Sequence, residues 1–109
     1  MIPAIDDHNF DRIIEETPVP LLVEFWQPGC GHCQALMKEL NLIQQDMGTQ
    51  IAIFTMNVQE NYVIPADLEI QTLPTLALFI GGKFERFIGG MGKKHAILSH
   101  LATFLENPP

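Results

Sequence analysis

The feature that most constrains this chain is a change of hydrophobic period that takes place around one eight-residue stretch, Trp26-Gln27-Pro28-Gly29-Cys30-Gly31-His32-Cys33. Before it, Pro20-Leu21-Leu22-Val23-Glu24-Phe25-Trp26 is short, apolar and rich in β-formers, the pattern of a strand buried on both faces of a sheet. After it, Leu36, Met37, Leu40, Ile43 and Met47 recur at helical spacing and predict an amphipathic helix from Cys33 onward. A second apolar run over 51–58 then reads as another buried strand, parallel to the first and reached through the helix by a right-handed crossover. The chain is thereby committed to an α/β fold.

Both cysteines lie at the strand-to-helix junction. The first turn of a helix carries unpaired N–H groups and a partial positive charge, which favour the thiolate of Cys30. Cys33 follows about one turn later, within reach of the Cys30 sulfur. The pair reads as a redox dithiol. A zinc site is the rival for any Cys-x-x-Cys, but structural zinc takes four ligands, there is no further cysteine, and His8, His95 and His100 are not spaced as a second ligand pair. No metal is expected. A purely structural disulfide is the other rival, yet so short a loop constrains little of the unfolded chain.

Glu24 is an anomaly, a carboxylate within a buried apolar run. Strand alternation puts it on the face of Trp26, below the cysteines, where burial raises its pKa. There it can exchange a proton with Cys33 when that thiol attacks a mixed disulfide. The bland alternative is an edge-strand glutamate that points to water.

Elsewhere, residues 2–5 read as a short edge strand, and Asp6 or Asp7 as the cap of a first helix that turns Phe10, Ile13 and Ile14 inward. Residues 61–70 are expected to form a short helix or turn broken by Pro65. A third strand over 76–80 is joined by Gly81-Gly82 to an antiparallel strand over 84–88. Gly89-Gly90-Met91-Gly92 lacks a Walker pattern and is not read as a nucleotide loop. A final helix from about Lys93 to Leu105 is expected to bury Ile97, Leu98, Leu101 and Phe104.

Leu22-Val23-Glu24-Phe25-Trp26 leading into Cys30-Gly31-His32-Cys33, followed later by Thr72-Leu73-Pro74-Thr75, resembles the thioredoxin family along nearly the whole chain. The Cys-Gly-His-Cys tetrapeptide is similar to that of protein disulfide isomerase domains, whereas the length and single-domain format are similar to bacterial thioredoxins. The resemblance implies a thioredoxin fold of three α/β/α layers around a central mixed sheet of four to five strands, with residues 1–109 as one domain. It implies a buried acid at Glu24. It further implies a cis Pro74 opposite the dithiol, with the backbone of Leu73 free to pair with an extended substrate strand. Gly89 and Gly90 would line the flat substrate face, and Trp26, Pro28 and Gly29 the rest of the contact surface.

Three residues depart from the family pattern. Gly29 replaces a tryptophan, whose loss should weaken or change partner recognition. Lys38 replaces a kinking proline, so the helix is expected to run straighter. Thr55 replaces a lysine that pairs with the buried acid, which should keep the pKa of Glu24 higher still.

Composition narrows the function. With 109 residues, 47 per cent hydrophobic and 17 per cent charged, the chain is neither disordered nor fibrous, and no apolar run approaches the roughly 18 residues of a membrane span. A net charge of −7 argues against nucleic acid and anionic membranes. The first residues lack the basic and apolar blocks of a signal peptide, so a cytoplasmic location is expected. The expected function is that of a monomeric thiol–disulfide oxidoreductase acting on protein disulfides, with no cofactor beyond the Cys30–Cys33 disulfide. By resemblance, a separate reductase supplies its electrons. His32, next to Gly31, can stabilise the Cys30 thiolate and so lean the protein towards oxidase or isomerase work. A partner-binding module without turnover is the alternative of another class.

Overall fold

The computed structural model describes residues 2–89 and 93–106. In chain order it contains α1 (Phe10–Glu16), β1 (Leu21–Trp26), α2 (Gly31–Met47), a 3₁₀ turn (Gly48–Gln50), β2 (Ala52–Asn57), α3 (Val63–Asp67), β3 (Thr75–Ile80), β4 (Lys83–Ile88) and α4 (Lys94–Glu106). The four strands make one sheet in the order β2-β1-β3-β4. β1 runs parallel to β2, and β3 is antiparallel to both β1 and β4. This is the expected mixed sheet between two helical layers.

β1 lacks alternation because both of its faces are covered. Leu22 packs with Leu76 and Leu78 against Leu36, Leu40 and Ile43 of α2 and Ile97 and Leu101 of α4. Leu21, Val23 and Phe25 pack on the other side with Phe10, Ile64 and Phe79. In the α2 stripe Leu36, Leu40 and Ile43 are buried and Met47 packs partly buried against them, whereas Met37 is only partly buried and joins neither core cluster; the helix runs unbroken through the exposed Lys38. Phe10 is buried, whereas Ile13 and Ile14 are only partly so. In α4, Ile97 and Leu101 are buried, and Leu98 and Phe104 lie partly buried against the same cluster.

Several local expectations are corrected. Residues 2–5 supply a single parallel bridge, Ala4 to Thr55, rather than a strand. The Ile5 N–H donates to the Thr55 carbonyl at 2.8 Å and the Thr55 N–H to that of Pro3 at 3.0 Å. Further along the outer edge of β2, the Gln44 amide accepts from the Ile53 N–H at 3.1 Å and donates to the Ile51 carbonyl at 3.0 Å. Asp6 caps the turn before α1, accepting from the N–H groups of His8 and Asn9 at 2.8 Å. Asp7 instead caps α3, accepting from the N–H groups of Tyr62, Val63 and Ile64 at 2.7 to 2.9 Å. Pro65 does not break its helix, because it falls in the first turn, where no intrahelical N–H is required.

α3 ends in a Schellman arrangement, with the Ile70 N–H donating to the Pro65 carbonyl at 2.9 Å and the Glu69 N–H to that of Ala66 at 3.1 Å. The residue between the helix and that closure is left-handed, and here it is Glu69, at φ 56°. Glycine is usual at such a position, and a side chain there costs about 1 kcal/mol. The β3–β4 turn follows the sequence signal, with Gly81 and Gly82 both at positive φ (60° and 81°) as a type I′ hairpin requires. The β3–β4 ladder then shifts, since Phe79 pairs with Phe84 but Leu78 with Arg86. Glu85 is the extra residue of a bulge.

Candidate functional site

The turn that carries the dithiol leaves the C-terminal end of β1. The Cys30 N–H donates to the Gln27 carbonyl at 3.3 Å, with Pro28 and Gly29 between them. Gly29 has φ 84°, so this Pro-Gly pair has the signature of a type II turn. An added Cβ at Gly29 would meet no atom within 4 Å, yet its backbone conformation is one that other residues rarely adopt. A side chain at this position would be strained whatever the space around it.

Cys30 is the N-cap of α2 and is disulfide-bonded to Cys33, with their Cα atoms 5.3 Å apart. The Cys33 N–H donates to the Cys30 sulfur at 3.1 Å, so a helix-terminal donor already points at the atom that would carry charge as a thiolate. The two sulfurs differ in access. Cys30 is partly exposed, whereas Cys33 is fully buried and begins the inward stripe continued by Leu36 and Leu40. Gly31 and His32 are exposed on the first turn, and the His32 imidazole makes no hydrogen bond among the described residues.

Glu24 is fully buried on an interior strand, between Thr55 of β2 and Leu76 of β3. The edge-strand alternative is thereby excluded. Its side chain shares the face of Leu22, towards the layer into which Cys33 is buried. Neither carboxylate oxygen has a hydrogen-bond partner among the described residues. Burial pushes its pKa up to about 8. A protonated carboxyl at neutral pH thus lies in the same layer as the shielded sulfur.

The register gathers the rest of the site. Phe25 pairs with Thr75 and Leu76 with Ile88, so Trp26, Pro74 and Gly89 all fall at the sheet end from which the dithiol turn emerges. The Leu73–Pro74 peptide is cis, as the resemblance implied. The Leu73 side chain packs partly buried against the core on the α1 side, and its backbone makes no hydrogen bond among the described residues. Trp26 is half-buried and Pro28 and Gly29 are exposed. Pro74 and Gly89 line a groove of about 360 Å³, together with residues that the sequence did not single out, among them Glu69 and Phe87. Gly90 lies outside the described residues. A second hollow of about 340 Å³, between Pro20 and Phe104, carries no titratable side chain among the described residues.

One polar clamp was not legible from sequence. The Asp7 N–H donates to the Asn61 side chain at 2.8 Å, while the Asp7 carboxylate caps α3. Burial pushes the Asp7 carboxyl up, but the N–H groups of Ile64, Val63 and Tyr62 and the charge of His8 outweigh it, leaving the pKa below its usual value. Its partners lie 54 to 57 residues away, beyond the reach of any local pattern. No group of His, Cys, Asp and Glu among the described residues could hold a metal ion. No described helix is long and apolar enough to cross a membrane.

Comparison with known proteins places this geometry. The family model described as Thioredoxin matches residues 1–103. The thioredoxin of Rickettsia felis is 30% identical over 98 residues, which cover 90% of this chain and 93% of that protein. The thioredoxin of Haemophilus influenzae is 30% identical over 79 residues, covering 72% and 74%. Chloroplastic thioredoxin M2 of Arabidopsis thaliana is 28% identical over 104 residues, covering 95% of this chain and 56% of that protein.

Proposed function

Because the chain belongs to the thioredoxin family and carries its Cys-x-x-Cys pair as a disulfide, we propose that it is a protein-disulfide reductase that cycles Cys30 and Cys33 between dithiol and disulfide. The observation that carries this reading is the unequal access of the two sulfurs combined with the N–H donor aimed at the exposed one. The Cys30 thiolate attacks a substrate disulfide, a Cys30–substrate disulfide forms, and the departing substrate sulfur takes up a proton. In molecules whose Glu24 has ionised, the carboxylate takes the proton of Cys33 as that sulfur attacks the Cys30 sulfur. The second substrate thiol leaves, and the Cys30–Cys33 disulfide is restored. Trp26, Pro28, Gly29, Leu73, Pro74, Gly89 and Gly90 shape the contact with substrate.

In this reading no cofactor is needed beyond the disulfide itself, electrons return from a separate reductase, and the protein works as a cytoplasmic monomer. The test is reduction of insulin disulfides with dithiothreitol as electron source. Turnover that disappears in Cys30→Ser supports the reading, and equal rates with and without the protein would leave only a docking module.

The exposed imidazole of His32 favours a second reading of direction, because a positive charge beside the Cys30 thiolate stabilises the reduced form and makes the protein more oxidising. Replacing His32 with proline is expected to lower the redox potential by about 20 mV, since a solvent-exposed pair of opposite charges contributes up to about 1 kcal/mol. Equilibration with glutathione measures this. An unchanged potential would remove His32 from any role in redox poise.

A further inference from the structure

The groove beside Pro74 lies at the sheet end from which the dithiol turn emerges, and it carries one charge. Among its described lining residues Glu69 alone is ionisable, and no lysine or arginine occurs in the sequence between residues 39 and 82 to neutralise it. Arg86 is turned to the opposite face of the sheet, its guanidinium 5.8 Å from the Phe104 ring centre and donating to the His100 carbonyl at 3.3 Å. Glu69 is also the single non-glycine residue with positive φ among the described residues. The chain thus keeps a carboxylate at the groove where the backbone favours glycine, and such an outlier points to function rather than folding.

The apolar side of the groove has its own device. The bulge at Glu85 turns Phe87 to the same face as Phe84, where their ring centres lie 4.8 Å apart. Phe87 lies opposite the small Ala77 and remains 45% exposed. An acid and an aromatic ring therefore share one trough that runs into Pro74 and Gly89.

We propose that Glu69 and Phe87 determine substrate specificity: the groove takes the extended segment of a substrate protein next to its disulfide, and selects segments in which a lysine or arginine stands beside an apolar residue. The proposal rests on the reading of the site as a protein-disulfide oxidoreductase. Charge complementarity supplies the preference, so it should weaken as salt rises.

The probes are cyclic disulfide peptides that differ only in carrying Arg or Glu on both sides of one cysteine, with Leu or Ser beyond. The reduced wild-type protein is expected to react about fivefold faster with the Arg peptide than with the Glu peptide at low ionic strength. Glu69→Gln and Glu69→Gly should each cut that ratio about threefold. Glu69→Gly should at the same time melt at a higher temperature, which separates lost recognition from lost stability. Glu60→Gln, which removes an exposed carboxylate outside the groove, should leave the ratio as it is in the wild type. Phe87→Ser should lower the preference for Leu over Ser peptides about threefold. An Arg-to-Glu ratio that is the same in wild type and both Glu69 variants would overturn the proposal while leaving the oxidoreductase reading intact. A wild-type protein that reduces neither the peptides nor insulin would overturn both.

Discussion

Replacing Glu24 with leucine is expected to stabilise the oxidised protein by about 2 to 4 kcal/mol at pH 8, because it removes a buried carboxyl whose oxygens both lack a partner among the described residues and substitutes a side chain of similar volume. For a domain of this size each kcal/mol moves the melting temperature by about 4 to 8 °C, so the shift should be on the order of 10 °C or more. The gain depends on pH in a defined direction. The folded-state pKa is raised to about 8 from the usual 4.5, so the native state holds a proton that the unfolded chain gives up. Stability from this group is complete below about 4.5 and is lost as pH rises towards 8. The advantage of leucine should therefore be smaller at pH 5 than at pH 8. Unfolding of both proteins at the two pH values measures it, and a difference independent of pH would show that the fold does not raise the pKa of Glu24. Function should move the other way. In Glu24→Gln the release of substrate by Cys33 should slow more than the first attack by Cys30, since only the buried thiol exchanges its proton with this residue. Equal slowing of both steps would leave Glu24 a structural role alone.

Replacing Cys33 with serine should lower multiple turnover by about three orders of magnitude or more, while leaving the first attack in place. Cys30 keeps its exposure and the N–H at its sulfur in that variant, whereas the group that resolves the mixed disulfide is gone. Covalent adducts between Cys30 and disulfide-containing proteins should accumulate and dissolve on addition of dithiothreitol. The same asymmetry should appear in the reduced wild-type protein as rapid alkylation of Cys30 and slow alkylation of the fully buried Cys33. Equal labelling of the two cysteines, or a Cys33→Ser protein that still turns over, would contradict the assignment.

What could be read from the sequence was what is local. The β1-to-α2 junction, the α2 stripe and the Gly81-Gly82 hairpin each depend on residues close in the chain, and each appears where the pattern predicts it. Glu24 was legible as an anomaly, but whether it faces protein or water depends on which strands flank β1. That was decided by β3 returning on the side opposite β2. Of the two candidate caps for α1, Asp6 serves the turn before it and Asp7 serves α3, whose donors and Asn61 begin 54 residues away. Pro65 reads as a breaker by a rule that holds inside helices, whereas α3 is only five residues long and the proline falls in its first turn. Gly29 stands out in the sequence as a missing aromatic, while Pro28-Gly29 is also a turn signal, and the structure adds that Gly29 has positive φ. Glu69 had no signal, since a left-handed glutamate looks like any other in sequence.

The outer margin of β2 is closed off by hydrogen bonds from elsewhere in the same chain, with Pro3 and Ile5 on Thr55, Gln44 on Ile51 and Ile53, and the Asn61 side chain on Asn57. Among the described residues only β4 leaves a margin on which another strand could be laid, and there the ladder is interrupted at Glu85 and flanked by Lys83 and Arg86. A ribbon grown molecule by molecule needs two open sides and a straight template, and the described residues offer one side and a broken template. Crowded solutions of the folded protein should accordingly stay clear rather than gel.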